Sequence, residues 1–343
     1  MIRWNNDYNH GAYPAVLEAF ARTNEESYGG YGLDEWCDRA SEKIKEYLGK
    51  KDADIHFMVG GTQVNYTVIA AALRPYQGVI SADSGHIHVH ETGAVENTGH
   101  KILAVQGENG KLSAESIAAE AENYRTSGVK EHITQPKMVY ISFPTEFGTL
   151  YSKKELQEIS DVCRKYDLYL MIDGARMGYG LGANVNDLKL SDLAALADVF
   201  YIGGTKCGTM MGEAVVITND TLKDHFRSYM KQNGGMLAKG WTLGLQFYTL
   251  FEEGLYFEIA AQADKYAMQI RDAFEKKGID FYIDSPTNQQ FVLLSDEQKD
   301  KLEQNHIFEY QFPVGEKHCV RFCTSWSTKQ KDVDALREDI LAL

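Results

Sequence analysis

Residues 199–208 read VFYIGGTKCG. Val199, Phe200, Tyr201 and Ile202 make an apolar run of the length of a short buried strand. Two glycines then remove the side chains that would keep other atoms away, and Lys206 follows. A surface lysine needs no such setting, because water satisfies its ammonium whatever its neighbours are. The stretch therefore predicts a Lys206 that projects from a strand end into a crevice, where an amine loses its proton more readily and acts as a nucleophile toward a carbonyl.

Similar runs recur at 79–82, 101–105, 138–142 and 168–172 before it and at 214–217 after it. Helical patterns lie between several of them. Leu156, Ile159, Cys163 and Tyr166 are the clearest; Trp36, Ala40, Ile44 and Leu48 predict a helix over 34–48, and FMVGGTQVN turns into an apolar helix that ends near Pro75. Strands separated by helices imply crossover units and a mostly parallel sheet covered on both faces. Beyond Trp241 the pattern changes to a long helical stretch reaching about Lys277, short strands FYI and QFVLL, a helix, the strand CVRFC and a last helix. The expected organisation is an N-terminal segment over 1–24, a large domain over 25–245 and a smaller C-terminal α/β domain over 246–343.

Composition narrows the function. The 343 residues exceed the roughly 250 to 300 at which a single core stops growing. A formal charge of -14 argues against broad binding to nucleic acid or anionic membranes, which needs an excess of lysine and arginine, and favours a small-molecule partner. The five cysteines are odd in number, and Cys319 and Cys323 lack CxxC spacing, which fits a reducing cytoplasm. Met1 leads directly into the polar RWNNDYNH, and no apolar run reaches the roughly 18 residues of a membrane span, so neither export nor anchoring is expected.

Ligands of an open parallel sheet collect beyond the carboxyl ends of its strands. After LYLMI comes DGARMGYG, which places Asp173 and Arg176 at one such end, and Lys206 lies one helix and one strand further on. Gly60, Gly61 and Thr62 open a helix, where free N–H groups and the helix dipole favour a phosphate. Singly, each feature has a plain structural role: an Asp caps a turn, an Arg pairs with it, Gly-Gly-Thr caps a helix. Together they are the parts that an electrophilic carbonyl cofactor carrying a phosphate would use. The dinucleotide pattern GxGxxG is absent and GYGLGA around Gly180 has the wrong spacing, so a nucleotide-dependent oxidoreductase would leave Lys206 without a role. HIHVH would put His86, His88 and His90 on one strand face, but no other ligands complete a recognisable pattern and no metal is predicted.

The ordered segments SYGGYG, GGTQVN, GHIHVHETGA, IDGARMG and GGTK resemble the L-threonine aldolases among the fold-type I enzymes that use pyridoxal 5'-phosphate. The resemblance runs from about residue 5 to the final helix, and DGAR with the later TK is its most specific element. It implies an α/β, fold-type I PLP-dependent transferase-like fold, with a mostly parallel seven-stranded sheet in the large domain, and assembly as a homodimer or homotetramer. The implied activity is retro-aldol cleavage of L-threonine and L-allo-threonine to glycine and acetaldehyde. Lys206 would bond the cofactor, Asp173 would face its ring nitrogen, and His86 and Ala175 would pack on its two faces. Gly61 and Thr62 would hold the phosphate, while Arg176 and Arg321 would hold the substrate carboxylate.

Several positions depart from the family pattern. Asn6 in NND stands where many members have a serine that touches the carboxylate. Glu146 in PTEFG stands where many have a histidine that places the β-hydroxyl, which makes Glu146 a candidate catalytic residue beside Lys206, His86 and Asp173. Lys231 in MKQNGGM matches a basic residue that reaches the partner chain's phosphate, with Lys239 a weaker match to a second. The alternatives are another PLP-dependent β-lyase, a racemase, an aminotransferase, or an inactive binding protein of the same fold.

Overall fold

A computed structural model describes the whole chain, Met1 to Leu343. Its strands are β1 (Ile2–Arg3), β2 (Asp54–Met58), β3 (Gln77–Ala82), β4 (Lys101–Val105), β5 (Gln135–Ser142), β6 (Tyr169–Asp173), β7 (Val199–Gly203), β8 (Glu213–Ile217), β9 (Gln289–Leu294), β10 (His306–Ile307), β11 (Glu309–Val314) and β12 (Lys317–Cys323). Seven form one sheet in the order β2, β8, β7, β6, β5, β3, β4. β8 runs antiparallel to β7 and β2, and the other neighbours are parallel. The helices Gly61–Ala72, Ala114–Thr126, Lys153–Lys165 and Leu190–Leu196 carry the chain between strands.

The sheet is covered twice because its central strands are apolar on both faces. Phe200 and Ile202 join Val139, Ile141, Leu170 and Ile172 in one core. Their neighbours Val199 and Tyr201 join Met138, Tyr140 and Met171 in the other, against the helix Gly61–Ala72. The period of two thus sends Tyr140 and Tyr201 to the same side as that helix.

Two glycines allow the ends of β6 and β7 to touch. A Cβ on Gly174 would lie 1.9 Å from the Tyr201 carbonyl oxygen, and one on Gly203 would lie 2.4 Å from that of Ala175. The DGAR and GGTK turns are side by side for that reason.

β11, β12 and β9 form a separate antiparallel sheet, in that order. Helices Leu255–Lys276 and Gln330–Leu341 cover it, with Ile270, Phe274, Val292, Val320, Phe322 and Leu336 in a third core that also takes in Trp4. The N-terminus is stitched to this lobe: β1 pairs with β10, and the Cys323 N–H donates to the Trp4 carbonyl at 2.7 Å.

Three expectations need correction, and the strand DIHFM is unforeseen. The long helical stretch after Trp241 is two helices, Trp241–Phe251 and Leu255–Lys276, parted where Gly254 takes a φ of 78°. FYI contributes a single bridge, Phe281 to Val292, and the third strand of the small sheet is the unforeseen β11. DIHFM, a strand by structure, lacks a continuous apolar run. HIHVH is a helical turn, His86–Val89, in place of a strand, so its three histidines do not share a strand face. No helix is long and apolar enough to cross a membrane.

The edge strand β2 carries a pH-dependent liability. His56 packs its ring 5.0 Å from that of Phe226, its Nε2 is buried without a partner, and burial pushes its pKa down to about 4. The unfolded chain accepts a proton near pH 6.5 that the folded chain refuses, so stability present above pH 6.5 is lost as pH falls toward 4. The loss should reach about 2 to 3 kcal/mol by pH 4.5. Urea unfolding at pH 7 and 4.5 checks this, and His56→Leu should flatten the difference.

Candidate active site

A cavity of about 280 Å³ opens beyond the carboxyl ends of β5, β6 and β7. Gly61, Thr62, His86, Glu146, Asp173, Ala175, Arg176 and Lys206 all line it; Asn6, Lys231 and Arg321 do not. Asn6 instead accepts the Tyr8 N–H at 3.1 Å, within its own turn. Lys231 lies on Phe226–Gln232 with its ammonium 4.7 Å from the centre of the Tyr31 ring.

Lys206 follows the β7 end in a turn anchored by its backbone, whose carbonyl accepts the Tyr179 hydroxyl at 2.6 Å. Its Nζ makes no ion pair or hydrogen bond with the chain. Burial, followed by the positive charge of Arg176, lowers its pKa, which favours the neutral amine.

Asp173 is the most elaborately held group. Oδ1 accepts the Tyr201 hydroxyl at 2.5 Å and the Ala175 N–H at 2.9 Å; Oδ2 accepts the Tyr140 hydroxyl at 2.5 Å and the Asn65 amide at 3.0 Å. Burial alone would raise its pKa, but His86 and these donors outweigh that and lower it. A fixed, ionised carboxylate therefore stands at the cavity wall.

The Asn65 amide also donates to Glu91 Oε1 at 2.8 Å, and the same oxygen lies 2.7 Å from His86 Nδ1. Burial opposes the charging of His86, but the Glu91 contact and the nearby Asp173 prevail, and its pKa is raised. Glu146 holds the backbone beneath this ring. Its Oε1 accepts the His86 N–H at 2.8 Å and the Ser142 hydroxyl at 2.7 Å, and burial raises its pKa.

Arg176 is less free than a carboxylate clamp requires. Asp7, 2% exposed, takes its Nε at 2.7 Å and its Nη2 at 3.1 Å, leaving Nη1 as the edge without a protein acceptor. Its share in the carboxylate clamp expected with Arg321 is left to that edge. Arg321, on β12, has no carboxylate partner. It donates to Gln289 Oε1 at 3.2 Å and to the Asn5 carbonyl at 3.0 Å, while its Nε is buried and unpaired.

Sequence reasoning did not single out Tyr140, Tyr201, Asn65, Glu91 or Asp7. The tyrosines pass for ordinary core residues of apolar strands, and Asn65 is one polar residue in an apolar helix. Glu91, five positions after His86, carries no local signal either.

The chain matches the family described as Beta-eliminating lyase over residues 10–297. It is 30% identical to the low specificity L-threonine aldolase of Pseudomonas aeruginosa, an alignment covering 98% of this chain and 96% of that relative. The solved threonine aldolase of Leishmania major superimposes with a TM-score of 0.97 at 41% identity, covering 99% of this chain and 98% of that one. The histidinol-phosphate aminotransferase of Clostridium acetobutylicum, at 13% identity, TM-score 0.75 and 100% and 98% coverage, shares the fold alone.

Proposed function

We propose, from the premise that this chain belongs to the beta-eliminating lyase family, that it is an aldehyde-lyase cleaving L-threonine and L-allo-threonine to glycine and acetaldehyde, with pyridoxal phosphate as cofactor. The observation that carries the reading is the Lys206 amine, half-buried, without a protein partner and with its pKa lowered, in one cavity with the ionised Asp173 and with His86.

The residues fit this cofactor. The helix Gly61–Ala72 starts without a side-chain cap, so its first N–H groups are free for a phosphate. A Cβ on Gly61 would lie 2.8 Å from the Tyr201 hydroxyl, so a side chain there would crowd the cradle. Lys206 would hold the carbonyl carbon, Asp173 the ring nitrogen, and His86 and Ala175 the ring. When bound, pyridoxal phosphate supplies a carbonyl that takes amines and a ring that draws electrons from the carbon being cleaved.

The chain's own groups do the rest. Asp173, kept ionised by four donors, retains a proton on any nitrogen facing it. Arg321 and the free edge of Arg176 orient the substrate carboxylate as charge-assisted partners. Glu146 keeps Oε2 clear of protein donors and accepts the β-hydroxyl proton, which its raised pKa favours. Lys206, with its lowered proton affinity, carries the proton at Cα.

One hydrogen bond to the β-hydroxyl discriminates by about 1 to 1.5 kcal/mol, roughly tenfold, whereas the carboxylate and Cα are fixed on several sides. Both L-epimers should therefore be cleaved within about tenfold of each other, and the D isomers rejected. Glycine and acetaldehyde release from the four threonine stereoisomers measures this. Cleavage of a D isomer, or a thousandfold preference between the L-epimers, would sink the account of the pocket.

A homodimer or larger assembly belongs to the same proposal, with Lys231 reaching the phosphate site of the partner chain. Sedimentation should give at least a dimer, and Lys231→Ala should weaken cofactor binding by about 1.5 to 3 kcal/mol. A fully active monomer contradicts the arrangement.

A further inference from the structure

Glu213 is a buried acid that the chemistry above leaves unused. It opens β8, paired across the sheet with Gly203 at the end of β7 and with Met58 at the end of β2. Those two strands lead into the Lys206 turn and the helix start at Gly61, so Glu213 sits on the cavity floor between them, 3% exposed. Its Oε2 accepts the Gly204 N–H at 2.9 Å, and the Thr205 hydroxyl also hydrogen-bonds the carboxylate.

The titratable groups that face it are Lys206 and Cys207 from the turn, Asp173 at the end of β6, Tyr201 on β7 and Tyr256 on Leu255–Lys276. Lys206 is the one cation among them. A negative carboxylate in this place would oppose the very anion that the neighbouring helix start attracts. Burial, partly offset by hydrogen bonding and by Lys206, raises its pKa to about 7, so the change of charge costs little near neutrality.

We infer that Glu213 is a cofactor-binding residue that takes one proton from solvent as the cofactor's phosphate enters, becoming a neutral acid whose Oε1–H donates toward that phosphate while Oε2 keeps the Gly204 N–H. The inference rests on reading the cavity as the pyridoxal phosphate site. The phosphate stays a dianion throughout, since its second pKa is about 6, and the proton goes only to the carboxylate.

Pyridoxine 5'-phosphate and pyridoxine test it, because neither has an aldehyde to react with Lys206. Their dissociation constants are measured from pH 7 to 8.5, with calorimetry in buffers of different ionisation heat to count protons. For the wild-type protein, the phosphate ligand should weaken by about tenfold per pH unit above 7 relative to pyridoxine, with about one proton taken up at pH 8. Glu213→Gln, neutral at every pH and still a donor, should bind both ligands with parallel pH dependence. Pyridoxine binding shows that this variant is folded; should it not fold, the wild-type proton count decides. Parallel curves for the two ligands in the wild type, no proton uptake, or an unchanged difference in Glu213→Gln each overturn the inference. If neither ligand binds at any pH, the reading of the cavity itself fails.

Discussion

Lys206→Ala should abolish threonine cleavage, lowering kcat by at least about four orders of magnitude. On the proposed reading the side chain serves twice, as the amine that bonds the cofactor's carbonyl and as the carrier of the Cα proton, and no other lysine lines the cavity. Borohydride treatment of the wild-type protein with pyridoxal phosphate should leave the added mass on the peptide that contains Lys206. Label on another lysine, or turnover surviving in Lys206→Ala, would falsify the assignment. The variant should fold, because the Nζ it loses has no protein partner and the Lys206 carbonyl that binds Tyr179 is retained.

The second large effect is expected at Asp173→Asn. An amide keeps the shape but removes the charge that, on the proposed reading, retains a proton on the facing nitrogen, so kcat should fall by about 10²- to 10⁴-fold. Affinity for pyridoxal phosphate should fall much less, since the phosphate contacts remain. Stability should drop too: the new NH2 confronts donors from Tyr140, Asn65, Tyr201 or Ala175, and each buried donor left unsatisfied costs about 1 to 3 kcal/mol. Steady-state kinetics set against a cofactor titration separate the two. Equal losses in kcat and in cofactor affinity would make Asp173 a mere binding residue.

The parallel sheet is legible in the sequence because its inner strands are buried on both faces and read as unbroken apolar runs. β2 and β11 are not. DIHFM mixes polar with apolar at a sheet edge, and EYQFPV is a half-exposed edge strand that contains a proline. HIHVH alternates as a strand would, yet the backbone coils there, with the His90 N–H on the His86 carbonyl. At the site, Lys206, Asp173 and Gly61 are legible because each follows a strand end or opens a helix, whereas His86 enters only through the family resemblance. Three of the four donors that hold Asp173 come from positions 28 to 108 residues away, a proximity that only folding creates.

The path of the first seven residues bears on how this protein is handled. β1 and Trp4 are fastened to the small sheet, the Asn5 carbonyl takes Arg321, and the Asp7 carboxylate binds both Arg176 and the Asn288 amide. Clipping this stretch would strip the counter-charge from an arginine whose side chain is 14% exposed, and an uncompensated buried charge costs about 3 to 5 kcal/mol. A purification tag left at this end should extend outward from Met1, which is 76% exposed, and a protease that nicks before Tyr8 would inactivate the enzyme as surely as a change in the cavity.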